Sequence, residues 1–127
     1  AALTAVPGSS SVYKGGIISY TNWVKEHLLH VDGRLLEKRG AVSAPVAEAM
    51  ARGAREVLRA DIAVSVTGLA GPGGDDFGNP VGTVFIGYSD REKTLSREYH
   101  CPGDREQVRS RTTEAALRLV LEEAVRR

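Results

Sequence analysis

A chain of 127 residues, 42% apolar and 26% charged with a formal charge of +1, has the length and composition of one globular domain with a buried core. Its interspersed charges form no basic face with interleaved aromatics, and no apolar run approaches the roughly 20 residues of a membrane span, so neither nucleic acid nor a membrane is an expected partner. Cys101 is the single cysteine, which excludes an internal disulfide and makes the cytoplasm the default location.

The opening stretch from Ala1 to Val6 reads as the last turns of a helix, ended by Pro7-Gly8, so the chain is expected to begin part-way through its fold. Val12 to Tyr20 reads as a strand bulged at Gly15-Gly16. Asn22 offers an N-cap for a short helix over Trp23 to Leu29, and a second short helix from Asp32 to Arg39 ends at Gly40. Ser43 with Pro45 starts a longer helix whose Val46, Ala49, Met50, Gly53, Ala54, Val57 and Leu58 recur at helical spacing. Asp61 to Val66 is rich in β-branched residues and predicts a buried strand that ends in a glycine-rich loop. Val81 to Tyr88 and Lys93 to His100 predict a hairpin turning at Ser89-Asp90. Asp104 with Gln107 resembles a capping box, opening a helix that buries Val108, Ala116, Leu117, Val120, Leu121 and Ala124. This order predicts an α/β fold, a three-layer α/β/α sandwich with a mixed, mostly parallel sheet and ligands at the strands' C-terminal ends.

Chemistry concentrates at two such ends. Thr67-Gly68-Leu69-Ala70-Gly71-Pro72-Gly73-Gly74 carries four glycines in eight residues, which lets backbone N–H groups converge on an anion or an oxyanion. It has neither the lysine ending of a phosphate-binding P-loop nor the dinucleotide spacing, and a plain tight connection explains it equally well. Lys25, early in the first short helix, stands where the helix dipole disfavours a cation. If partly desolvated it would act as a base near neutral pH; spacing alone favours an exposed lysine paired with Glu26 or Asp32. Tyr20 could donate to the same centre or be a half-buried aromatic. Arg105, with Arg109 one turn on, poses the same dipole conflict, which a bound phosphate would relieve; local sequence favours a solvated face. Ser43 reads as a cap before it reads as a nucleophile. His27, His30 and His100 lack companions at zinc spacing, so no metal is expected.

Together with Pro7-Gly8-Ser9-Ser10, the segments Tyr20-Thr21-Asn22-Trp23-Val24-Lys25, Gly40-Ala41-Val42-Ser43, Thr67 to Gly74, Pro80-Val81-Gly82-Thr83-Val84 and Gly103-Asp104-Arg105 occur in the order of one family. The chain resembles the C-terminal domain of the competence/damage-inducible protein CinA, the nicotinamide mononucleotide deamidase family, along nearly all its length. The resemblance implies hydrolysis of the carboxamide of nicotinamide mononucleotide to nicotinic acid mononucleotide and ammonia, with no metal or cofactor. It implies Lys25 as base and Tyr20 beside it. It further implies substrate contacts from Asn22, Ser43, Thr67, Gly68, Gly71, Gly73 and Gly74, with Arg105 toward the phosphate. A well-placed oxyanion donor is worth about 3 kcal/mol. The family's nucleophilic serine lies in a Glu-Ser-Cys-Thr-Gly-Gly segment that would precede Ala1, so this chain by itself is expected to be inactive. The alternative is a catalytically silent nucleotide-binding or regulatory module. Self-association and an additional N-terminal domain are further expectations of the resemblance.

Overall fold

Alternation along one short strand sets the architecture. In Thr83-Val84-Phe85-Ile86-Gly87-Tyr88-Ser89 the even and odd positions point to opposite faces, and every residue of the seven is buried. Such a strand must be central and covered on both sides. In the computed structural model, which describes residues 13–125, it is the middle of a three-stranded sheet. The strands are β1 (Ala63–Gly68), β2 (Thr83–Ser89) and β3 (Thr94–His100), in the order β1-β2-β3. The helices are α1 (Asn22–His27), α2 (Gly33–Arg39), α3 (Ala44–Val57) and α4 (Arg105–Val125). The expected helix end at residues 1–6, the turn at Pro7 to Ser10 and Val12 lie outside the described residues.

Both strand pairings are antiparallel, with Ser65 opposite Gly87 and Gly87 opposite Ser96. The expected mostly parallel sheet is therefore corrected. Parallel neighbours need a crossover, usually helical, whereas residues 69–82 contain no helix and the chain reverses directly between Ser89 and Thr94. Asp90 makes that reversal: its Oδ1 accepts from the N–H groups of Glu92 and Lys93, and its Oδ2 accepts from the buried hydroxyl of Tyr88 at 2.8 Å.

Helices cover both faces, so the layered part of the expectation holds. Val84, Ile86 and Tyr88 pack against Val108, Ala116 and Leu119 of α4. On the other face Phe85 packs with Val42 and Ala47 of the α3 side. The far side of α3 buries Val46 and Met50 against Leu29, Val31 and Leu36 of the α1 and α2 region. The capping box of α4 forms as expected, with Gln107 N–H donating to Asp104 Oδ1 and Asp104 N–H to Gln107 Oε1, both at 2.9 Å.

Three sequence expectations shift. Residues 13–20 form no strand: no neighbouring strand pairs with them among the described residues, Ile17 instead joins the Leu29 and Val46 cluster, and Ile18 is exposed. The predicted buried strand 61–66 runs as Ala63–Gly68 at a sheet edge, with Val66 partly open to solvent. In α4 the buried stripe is Val108, Thr112, Ala116, Leu119 and Glu123. Leu117, Leu121 and Ala124 lie on another face, with Leu121 66% exposed, because apolar residues occupy two sides of this helix and polar Thr112 and Glu123 sit on the buried one. No helix of the described residues is long and apolar enough to cross a membrane.

Candidate functional site

Lys25 sits in a helix of one and a half turns whose cap is Thr21: its Oγ1 accepts from Val24 N–H at 3.3 Å. Asn22 is thus the first helical residue and exposed, not the N-cap, and Lys25 lies one position deeper than the sequence suggested. A hydroxyl one residue earlier serves the same orphan N–H groups.

Lys25 is only 6% exposed, and its Nζ donates to the carbonyl of Ser19 at 2.7 Å. No carboxylate pairs with it among the described residues; neither Glu26 nor Asp32 reaches it. Burial alone holds its ammonium below the usual lysine range. A buried lysine with a single neutral acceptor pays desolvation without an ion pair in return. Tyr20, by contrast, is 88% exposed, and its side chain makes no hydrogen bond among the described residues.

The glycine loop leaves the end of β1 and returns at Gly82. Thr67 and Gly68 belong to β1 itself, Gly68 opposite Val84. Gly71 takes φ +104, a left-handed region open to glycine, and Gly73 stands in open space. Gly74 lies close to the Asn79 carbonyl. Arg105 donates from Nη1 to the Gly71 carbonyl at 3.1 Å, so one of its protons already serves the loop.

Ser43 precedes α3 in extended geometry, yet its hydroxyl does not cap the helix. It donates to the Gly40 carbonyl at 2.9 Å. Thr67 Oγ1 donates to the Ala41 carbonyl at 2.7 Å, and Ser65 Oγ to that of Ala47. These three hydroxyls are therefore fixed as donors to backbone.

The structure brings Thr67, the loop and Ser43 together around residues 40–43, and ties Arg105 to Gly71. No hydrogen bond or ion pair joins Lys25 or Tyr20 to that group among the described residues. Two residues absent from the sequence reading, Asp75 and Asn79, prove central to the loop. Asp75 Oδ1 accepts from the N–H groups of Phe77 and Asn79, both at 3.0 Å, and Asp75 Oδ2 accepts from Asn79 Nδ2 at 2.8 Å. The Asn79 amide first, then the two N–H groups, hold the Asp75 carboxyl below its usual range against partial desolvation. The signal was an Asp followed by turn residues before a proline, Asp75 to Pro80, a pattern that favours side-chain capping of nearby N–H groups. No group of three or more His, Cys, Asp or Glu that could hold a metal occurs among the described residues.

A family model described as the CinA C-terminal domain matches residues 1–124. A CinA-like protein of Geotalea daltonii is 47% identical over 125 residues, which make up 98% of this chain and 30% of that protein. A CinA-like protein of Mycobacterium marinum is 47% identical over 94% of this chain and 28% of its own length. The chain thus spans less than a third of these curated relatives. Among solved structures, a competence-damaged protein (CinA) superfamily protein from Escherichia coli superposes with a TM-score of 0.92 at 34% identity, covering 94% of this chain and 70% of that one. The competence/damage inducible protein CihA from Agrobacterium tumefaciens superposes with a TM-score of 0.91 at 39% identity, over 95% and 74% of the two chains.

Proposed function

The chain belongs to the CinA C-terminal domain family, and on that premise we propose that it supplies the base and the ligand-facing loop of an amidohydrolase converting nicotinamide mononucleotide to nicotinic acid mononucleotide and ammonia. The observation that carries this reading is Lys25, buried, bound among the described residues to the Ser19 carbonyl alone, and depressed in pKa. An amine in that state is neutral at lower pH than an ordinary lysine, which a general base requires.

The nucleophile is the serine of the segment that the family resemblance implies before Ala1. Its Oγ attacks the carboxamide carbon while the Lys25 amine takes the hydroxyl proton. Collapse of the tetrahedral intermediate breaks the carbon–nitrogen bond, and the Lys25 ammonium returns that proton to the leaving nitrogen as ammonia. Water, deprotonated by the same amine, then attacks the acyl-serine ester. The serine recovers its proton and the carboxylate product leaves. Backbone N–H groups of the loop at Gly71 to Gly74 are the proposed oxyanion or nucleotide contacts, with Asn22 and Arg105 lining the substrate and Tyr20 serving the catalytic centre beside Lys25.

Ammonia release from nicotinamide mononucleotide by the full-length protein tests this reading. Lys25→Met is expected to lower kcat/KM about 10³-fold, within the range of a positioned acid–base group, without lowering the thermal midpoint. Undiminished turnover in that variant removes Lys25 from the chemistry. Only the neutral amine acts as a base, so kcat/KM is expected to rise with pH through the depressed Lys25 value and level off below the roughly 10.4 of an unperturbed lysine.

A second reading, a catalytically silent nucleotide-binding module, draws on a specific observation: the hydroxyls of Ser43, Ser65 and Thr67 are all committed to backbone carbonyls. Nucleotide binding without ammonia release by the full-length protein would favour it.

A further inference from the structure

Gly40, Ala41 and Val42 join α2 to α3 and present three successive carbonyls. Each accepts a side-chain hydrogen bond: from Ser43 Oγ at 2.9 Å, from Thr67 Oγ1 at 2.7 Å and from Asn79 Nδ2 at 3.1 Å. The first donor starts α3, the second ends β1, and the third lies on the far limb of the glycine loop. Both protons of the Asn79 amide are used, one on Val42 and one on Asp75 Oδ2. Asp75 also holds the Phe77 N–H, and the Phe77 ring lies over Gly40, whose missing Cβ and φ of +79 leave room for it. On the opposite limb Arg105 holds the Gly71 carbonyl. The stretch from Gly71 to Gly74 is thus suspended between two anchors, whose side chains, those of Arg105 and of Asn79 with Asp75, both lie outside it.

We infer that Asn79, fixed by Asp75, is a positioning residue that fastens the glycine loop to the connector carrying Ser43, and so sets where the loop's N–H groups stand. The inference rests on the ligand-facing role proposed above for that loop. It adds a part no glycine can supply, since Gly71, Gly73 and Gly74 carry no side chain with which to fix their own backbone.

The test uses the full-length protein and two measurements, amide hydrogen exchange without ligand and steady-state ammonia release. Asn79→Ala is expected to speed exchange across residues 69–74 and 41–43 about tenfold, the scale of one net hydrogen bond. It is expected to lower kcat about tenfold with KM within about twofold, since misplaced donors fail chiefly the transition state. Asp75→Asn combined with Asn79→Asp keeps a hydrogen bond between the two positions but removes the donor to Val42, and is expected to stay as defective as Asn79→Ala. Unchanged loop exchange in Asn79→Ala, unchanged kcat in an active protein, or full recovery in the exchanged pair would overturn the inference. If the wild-type protein releases no ammonia, the substrate reading fails alone, and the exchange measurements still decide the role of Asn79.

Discussion

The two faces of the sheet are held by different means. Toward α4, β2 presents Val84, Ile86 and Tyr88, and the helix answers with Val108, Ala116 and Leu119, so contact is between apolar side chains of substantial volume. Toward α3, β2 presents Phe85 and Gly87, flanked by Ser65 and Thr67 of β1 and Ser96 of β3. There the helix answers with Ala47, whose carbonyl lies where a Gly87 Cβ would stand and accepts from Ser65 Oγ. Ser96 Oγ donates to Glu48, and Arg55 Nε to Ser89 Oγ at 3.1 Å. One face gains stability from buried apolar area. The other carries a cluster of fewer buried apolar residues and adds directed side-chain bonds between sheet and helix, and it is the face that leads into residues 40–43 and the glycine loop.

Volume therefore matters most on the α4 face. Leu119→Ala is expected to cost about 3 kcal/mol in urea unfolding, because Leu119 is fully buried in the apolar cluster and its loss leaves a cavity. Leu119→Met, which conserves volume, should cost under about 1.5 kcal/mol. On the α3 face a single added methyl should matter instead. Gly87→Ala is expected to cost about 2 kcal/mol, since its Cβ would meet the Ala47 carbonyl and Ser65 Oγ, and a helix backbone cannot step aside as a side chain can. A cost below about 0.5 kcal/mol for Gly87→Ala would break the comparison, for it would mean the helix is free to move away.

What the sequence made legible was whatever depends on neighbours along the chain. The helical spacing of Val46, Met50 and Gly53, the reciprocal pair Asp104 and Gln107, and the hairpin from Thr83 to His100 are local patterns, and each formed. Direction within the hairpin is local, but between β1 and β2 it is not: an element order with helices on both faces fits a parallel or an antiparallel pair there, and only the path of residues 69–82 decides. The β-prone residues of the strand expected from Val12 to Tyr20 likewise carry no information on whether a partner strand stands beside them. In α4 the buried stripe includes Thr112 and Glu123, whose Oγ1 donates to Val108 O and whose Oε2 accepts from Lys93, so an apolar pattern selected the wrong face for Leu117 and Leu121. At the candidate site, position suggested Lys25, but its burial depends on a tertiary environment that spacing does not encode. Asp75 and Asn79 escaped because their partners, apart from one another, are backbone groups as far away as Val42.

The finest test separates two hydroxyls on the α3 face. Ser65 Oγ donates to the carbonyl of Ala47, inside α3, where the helix's own N–H four residues on also donates. Thr67 Oγ1 donates to the carbonyl of Ala41, which lies in the connector and is reached by no backbone N–H among the described residues. Removing Ser65 Oγ leaves its acceptor satisfied, while removing Thr67 Oγ1 strands a carbonyl beneath the loop. Thr67→Val is therefore expected to cost about 1 kcal/mol and Ser65→Ala about 0.5 kcal/mol or less, the difference between an orphaned and a still-bonded acceptor. Urea midpoints at constant slope measure both. Equal losses would mean that the hydroxyls act through packing alone, and the α3 face would then differ from the α4 face only in the size of its side chains.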